Sequence, residues 1–355
     1  MDHSKAIYRI SQNLLFAKPP MHTKRILMHS RFGSSARLVS FKELLHRFPD
    51  QLVHAGILSE QFSPRTDAPI RNAVICGMGG SGIAGKIAVD LCKSEASIPI
   101  QTHADYGLPR FANHETLAII VSYSGNTEET LSAFKHAKRQ HCQIVSITSG
   151  GKLRAYDPKA IQIPKGLPPR AAIAFMLVPI LAILSKRGVI AKKGNDLMRT
   201  ILTLRRQKHK IEQAAKSIAH KLRQKTPVIY ATPLLCAAAT RWQTQFNENA
   251  KRIAHTGIVP EMNHNEINAI PNDSHSFFIL IHEKLSGQMK KRFAFLKKTI
   301  GKKRFVEKTI TGKNKLETIL SAIHLGDFVS YYHAMLHHEN PEVIPLIDKL
   351  KKKLK

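Results

Sequence analysis

The stretch AVICGMGGSGIAGKIAVDLCK, residues 73–93, decides how this chain is read. A short apolar run stops at a cluster of glycines, and a segment with helical spacing follows at once. Glycines let a backbone turn with positive φ and approach a ligand closely. The start of the helix then presents unpaired N–H groups and the positive end of the helix dipole, a setting suited to a phosphate. Gly80 and Ser81 are the candidate contacts, Ser81 adding a hydroxyl. Gly77, Gly79 and Gly82 also fit the spacing of a dinucleotide fingerprint. The acidic ribose ligand expected about 20 residues further on has no convincing counterpart, so this loop alone leaves the ligand open.

A second loop of the same kind narrows the choice. SYSGNTEET (122–130) follows the apolar run Leu117–Val121 and opens an amphipathic helix over 127–140. Ser122, Ser124 and Thr127 could all donate to one anion. Simple N-capping needs one hydroxyl, and three are present beside a glycine. QIVSIT (143–148) reads as the next strand. Strand, helix, strand, helix, strand means a parallel sheet built from βαβ units, which binds ligands at the carboxyl ends of its strands. A helical stretch over roughly 171–224 follows. Strand signals return at PVIYA (227–231) and SFFILIH (276–282), with a helix between them, so a second α/β unit begins near 226. The chain closes with helical patterns in GDFVSYYHAML and PEVIPLIDKLKKKLK.

Bulk properties set limits. The 355 residues suit two domains, and 43% hydrophobic content supports ordinary cores. The most apolar stretch, Ala171–Leu184, is shorter than the roughly 18–20 residues of a membrane span. Cys76, Cys92, Cys142 and Cys236 are widely spaced and read as buried free thiols of a reducing cytosol. The net charge of +30 is the unusual number. It is densest over Lys284–Lys315, with twelve Lys or Arg and one acid. No DNA- or RNA-binding motif accompanies it, so specific nucleic-acid recognition is not expected. Residues 1–40 read as a basic, poorly ordered extension. Their acid-poor composition is also compatible with a transit peptide, or with a later start at Met21 or Met28.

In order and spacing, GMGGSG and SYSGNTEE resemble the sugar isomerase (SIS) domain, a doubly wound α/β module whose serine-rich loop holds a sugar phosphate. Four further segments resemble the bifunctional phosphoglucose/phosphomannose isomerases: IPKGLPPRAA (163–172), RWQTQFNENAK (241–251), EMNHNEI (261–267) and GDFVSYYHAML (326–336). The resemblance runs from about residue 41 to the C-terminus. It implies two tandem doubly wound parallel-sheet SIS domains with a helical C-terminus. The divisions expected are 41–190 for the first domain, 191–225 for a helical connection and 226–355 for the second domain. It also implies a cytoplasmic homodimer that needs no cofactor.

The implied reaction interconverts glucose 6-phosphate or mannose 6-phosphate with fructose 6-phosphate. Moving a proton between C1 and C2 through a cis-enediolate needs one base near both carbons and a cation for the developing oxyanion. Opening the sugar ring needs an acid/base, a task that suits histidine. By position in the family motifs, Glu248 is the isomerisation base and Arg170 stabilises the enediolate. His264 opens the ring, acting in the partner subunit's site. Lys351 lies near the ring oxygen, although Lys349, Lys352 and Lys353 are close neighbours. Glu266 reads as a supporting or helix-starting residue. No metal-ligand spacing is evident, and EMNHNE lacks partners for a site. Three positions depart from the family pattern: Lys86 replaces an acid, Gln243 follows Arg241-Trp242, and Asn340-Pro341 is followed by Glu342. They leave the balance between glucose and mannose open. A sugar-phosphate sensor without catalysis and an isomerase of another phosphosugar are the alternative readings.

Overall fold

The computed structural model describes residues 39–60, 62–64 and 68–354. The expectations for residues 1–40 therefore lie outside the described residues, save for Val39 and Ser40. Two parallel sheets organise the rest. The first has strand order β2-β1-β3-β4-β5, with β1 at Asn72–Cys76, β2 at Ile100–His103, β3 at Thr116–Ser122, β4 at Gln143–Thr148 and β5 at Ile161–Gln162. The second has order β7-β6-β8-β9, with β6 at Thr226–Ala231, β7 at His255–Ile258, β8 at Ser276–His282 and β9 at Phe305–Thr309. Every strand pair is parallel. The chain is thus α/β, as expected.

Helices α1 (Phe41–His46) and α2 (Phe48–Glu60) precede the first sheet. Helices α3 (Gly79–Cys92), α4 (Glu128–Arg139) and α5 (Gly151–Tyr156) alternate with its strands. Along β1 and β3 the side chains alternate between two cores. Ile75 and Ile119 face the main core with Ile83 and Ile87 of α3. Val74, Ala118 and Ile120 face the other side, with Phe134 of α4. A strand buried on both faces is a continuous apolar run, which is why the central strands stand out in the sequence.

The helical stretch 171–224 comprises two helices. The 14-residue α6 (Ile173–Lys186) and the 29-residue α7 (Gly194–Leu222) are separated by a turn through Gly188, whose φ is +69°. Helix α6 is apolar nearly all round and buried. Helix α7 is amphipathic, burying Leu197, Ile201, Leu204, Ile211, Ala215, Ile218 and Leu222 along one stripe. Helices α8 (Cys236–Asn249) and α9 (Gly287–Ile300) belong to the second sheet, followed by α10 (Lys315–Leu336) and α11 (Pro345–Lys353). The main core continues through α6, α7, α8 and α10 to Ile229 and Ile279, so both sheets share it. At its centre Trp242 donates from Nε1 to Ala322 O at 2.8 Å and lies flat against Gly326. A Cβ at Gly326 would stand 2.1 Å from that nitrogen.

His324, fully buried in α10, makes stability pH-dependent. Its Nε2 donates to Leu45 O at 2.9 Å, and burial pushes the imidazole down to about 4. The folded state therefore holds the neutral ring while the unfolded chain takes up a proton near pH 6.5. The contribution is complete above pH 6.5 and is lost as pH falls toward 4. The expected slope is roughly 1.4 kcal/mol per pH unit within that window. Burial also pushes the His333 imidazole down to about 4, so it adds a like slope. Urea unfolding at pH 7 and pH 5 should show both, and His324→Gln, which can still donate to Leu45, should remove only its own share.

Candidate active site

The order β2-β1-β3 reverses direction between β1 and β3, and an open parallel sheet binds ligands at such a switch point. Both glycine- and serine-rich loops lie there. The first is packed too tightly for side chains. A Cβ on Gly77 would lie 3.0 Å from Val121 O, and one on Gly82 would lie 2.6 Å from Gly77 O. Gly80 touches a third segment, because its Cβ would lie 3.0 Å from Pro169 O and 3.3 Å from Arg170 N. The glycine loop thus rests on the turn that carries Arg170. The Ser81 hydroxyl faces inward, donating to Met176 Sδ at 3.3 Å and accepting from the Tyr123 N–H at 3.1 Å. The Ser81 and Gly82 N–H groups both bond Met78 O.

In the second loop, Thr127 occupies the N-cap position of α4 but its side chain makes no capping bond. Its hydroxyl instead lies 3.2 Å from Ser122 Oγ, which accepts from the Gly125 N–H at 3.1 Å. Ser124 is exposed, its Oγ accepting from the Asn126 N–H at 3.2 Å. Tyr123, between the two serines, is a residue that pattern reading passed over. Its hydroxyl donates to Pro164 O at 2.9 Å and accepts from the Leu167 N–H at 2.8 Å. It thereby fastens the loop before Arg170 to the serine loop.

Arg170 sits in the 3₁₀ turn Pro169–Ala171 and is only 3% exposed. Its Nε donates to Asn249 Oδ1 at 2.9 Å, and Nη2 donates to Pro341 O at 2.5 Å and Glu342 O at 3.2 Å. Nη1 faces Glu248 Oε2 at 3.7 Å, and the guanidinium lies 5.1 Å from the Phe41 ring centre. Burial pushes Arg170 below its ordinary value, and Glu248 is the strongest influence in the opposite direction. Glu248 is the more accessible partner, 24% exposed at the end of α8. The acid and the cation expected from the sequence are therefore neighbours.

A buried polar network fixes them. Asn249 donates to Ser330 Oγ at 3.0 Å, and Ser330 donates to Asp327 O at 2.9 Å. Arg241 donates to both Asp327 oxygens, at 3.0 and 2.8 Å, and to the backbone oxygen of Arg170 at 2.7 Å. Gln245 adds a donor to Asp327 at 2.9 Å. Burial lifts the Asp327 carboxyl above the usual carboxylate range, against the pull of Arg241 and Gln245. Lys251, with φ +52°, donates to Asn249 O at 3.2 Å and also bonds Asn340 O. Burial lowers its ammonium, with Glu339 opposing. It ties the segment over Arg170 to the end of α8.

His264 and Lys351 stand apart. His264 is exposed on the 3₁₀ turn Glu261–His264 and Lys351 is exposed on α11. Among the described residues neither has a hydrogen bond or ion pair with Glu248 or Arg170. Glu266 opens the next 3₁₀ turn and accepts from the Tyr230 hydroxyl at 3.1 Å, a supporting position. The departures are accommodated. Lys86 is exposed, and Gln243 donates to Ala254 O at 2.9 Å. The Asn340 side chain accepts from the Glu342 N–H at 2.8 Å, and the Glu342 carboxylate accepts from the Phe41 N–H at 2.9 Å. At the same edge of the second sheet, the chain's own carboxylates take the equivalent donors. Asp90 accepts from the Ala237 N–H of α8 at 2.6 Å, and Glu283 accepts from the Thr232 hydroxyl at 2.5 Å.

Among the described residues no three His, Cys, Asp or Glu side chains are grouped to hold a metal ion. No described helix is long and apolar enough to cross a membrane.

Comparison with known proteins places the chain among relatives. Residues 211–354 match the family described as bacterial phospho-glucose isomerase C-terminal SIS domain. A bifunctional phosphoglucose/phosphomannose isomerase of Caldicellulosiruptor bescii is 34% identical over 337 residues, covering 88% of this chain and 98% of that protein. One of Thermoplasma volcanium is 36% identical over 286 residues, covering 79% and 90%. Among solved structures, the C-terminal domain of glucosamine-fructose-6-phosphate aminotransferase from Francisella tularensis shares the fold with a TM-score of 0.71. It is 15% identical, covering 85% of this chain and 97% of that one. With relatives at 34% and 36% identity matched along nearly their whole length, the chain belongs to the bifunctional phosphoglucose/phosphomannose isomerase family.

Proposed function

We infer that this chain interconverts glucose 6-phosphate and mannose 6-phosphate with fructose 6-phosphate. The observation that carries this reading is the Arg170–Glu248 pair, 3.7 Å apart, with Arg170 on a turn that touches the glycine loop at Gly80. The phosphate lies between the loops of Gly80–Ser81 and Ser122–Thr127. The Glu248 carboxylate takes the proton from the carbon beside the carbonyl and returns it to the former carbonyl carbon, while the neighbouring hydroxyl's proton passes to the former carbonyl oxygen. Arg170, already fixed by three oxygen acceptors, faces the enediolate oxygen without reorganising, as electrostatic stabilisation requires. The sheets form two tandem SIS domains, divided near residue 226.

The exposed position of His264 fits its proposed task, opening the sugar ring in the site of a second copy. The chain then works as a homodimer in the cytoplasm, with Lys351 of α11 near the ring oxygen. Because Arg170 serves as the electrophile, no metal is required. A coupled assay of the purified chain on glucose 6-phosphate and mannose 6-phosphate, with and without a chelator, tests this. Turnover of either sugar that survives chelation is expected. Binding of both sugars without turnover would point to a sensor instead.

A further inference from the structure

The loops read as a phosphate cradle offer hydroxyls and amides but no cation of their own. Ser122, Ser124 and Thr127 are neutral, and Arg170 is committed to Asn249, the 341–342 backbone and Glu248. A sugar phosphate is close to a dianion at neutral pH, so the cradle is one charge short. An unclaimed charge beside the serine loop belongs to Lys165.

Lys165 stands at the tip of the Pro164–Leu167 loop, and both ends of that loop are bonded to the Tyr123 hydroxyl. Tyr123 is itself part of the serine loop. Only Lys165 and Gly166 lie between the two fastened ends, and Gly166 turns the chain with φ +88°. The tip therefore has a defined place. A Cβ on Gly150 would lie 3.0 Å from Lys165 Cε and 3.3 Å from its Nζ. Gly150 in turn lies directly against Gly125, whose Cβ would stand 1.8 Å from Gly150 O. Lys165, Gly150 and Gly125 thus form one contiguous stack beside Ser124. Among the described residues Lys165 has no hydrogen bond and no ion-pair partner, and it is exposed. Its ammonium is free to meet an anion at the serine loop.

We propose that Lys165 is a substrate-binding residue, supplying the positive charge that recognises the phosphate monoester over the serine loop. The inference rests on the proposed site but not on its chemistry. A charge-assisted hydrogen bond at a partly exposed site corresponds to about tenfold in affinity. Lys165→Met should raise KM for the sugar phosphate about tenfold, with kcat falling far less, the signature of lost binding that is uniform along the reaction. Lys165→Arg should restore most of the affinity. Lys152, on α5 beside the same loop, is the control, and Lys152→Met should change KM less than Lys165→Met does.

Inorganic phosphate is the second probe, read by thermal stabilisation of the folded chain. The wild type should be stabilised by millimolar phosphate and Lys165→Met should need about ten times more. Unchanged phosphate affinity and unchanged KM in Lys165→Met would overturn the role of Lys165 and leave the isomerase reading intact. A wild type that binds phosphate through Lys165 yet turns over neither sugar would sustain Lys165 and overturn the isomerase reading.

Discussion

Replacing Glu248 by glutamine should lower kcat by about 10³–10⁴, the upper range for loss of a general base, while fructose 6-phosphate still binds. The substitution keeps the shape of the side chain and removes its basicity. The proposed phosphate recognition lies in other segments, at the loops of Gly80–Ser81 and Ser122–Thr127, so binding energy from that end of the sugar should be retained. Arg170 keeps its three oxygen acceptors when Glu248 changes, so the electrophile stays in place. The variant should therefore lose kcat and kcat/KM together, which marks an interaction made in the transition state. Steady-state kinetics with a coupled assay, paired with protection of the folded chain by fructose 6-phosphate, separates the two effects. Turnover within tenfold of the wild type would remove Glu248 from the proposed role. Loss of both binding and turnover would mean that Glu248 holds Arg170 or the sugar instead.

Much of this fold is legible because the central strands are buried on both faces. β1, β3, β6 and β8 each hold an unbroken apolar run, β4 has one interrupted by Ser146, and β8 matches residues 276–282 without adjustment. The edge strands do not read that way. IQTH of β2 and FVEKT of β9 are only partly buried and carry polar or charged side chains, as edges do. β5 has two residues and β7 four, too short for a periodic signal. The division of 171–224 escapes periodicity because α6 is apolar nearly all round, so it carries no clear stripe. Gly188, which takes a positive φ in the fold, is the glycine in the sequence that marks the break, followed by Lys192 and Lys193 before the next stripe begins.

The site is legible in part for a different reason. Loops that meet a ligand use residues with few structural competitors, such as glycine runs and clustered hydroxyls. Arg170 and Glu248 come from motifs 78 positions apart, and no local pattern joins them. Their contact depends on the packing of α8 against the 3₁₀ turn. The residues that pattern reading missed are those that act through others. Tyr123 looks like one more apolar strand residue, and its hydroxyl bonds appear only once the 164–167 loop folds back. Asn249 has no exposed surface, although it sits beside Glu248 in the quoted motif. His264 and Lys351 remain isolated within one chain, where a partner subunit is part of the proposal.

Arg241→Met should be strongly destabilising. The change leaves Asp327, 4% exposed, without its two strongest donors. Breaking a buried ion pair from one side typically costs about 3–5 kcal/mol, because the remaining charge is uncompensated. Gln245 still donates to Asp327 and softens the loss. Removing the charge as well should recover most of it, so Arg241→Met with Asp327→Leu should be clearly more stable than Arg241→Met alone. The pH dependence has a definite sign. Burial already lifts the Asp327 carboxyl, and losing Arg241 lifts it further. A carboxyl raised above its unfolded value of about 3.9 costs nothing while both states are protonated and destabilises the fold as pH rises. The stability gap between wild type and Arg241→Met should therefore widen from pH 4.5 to pH 7.5 in urea unfolding. The same variant loses the 2.7 Å bond from Arg241 to the Arg170 backbone, so its kcat should fall even where it is fully folded. A gap independent of pH, or a double variant no better than the single one, would mean that Asp327 is not the group left stranded.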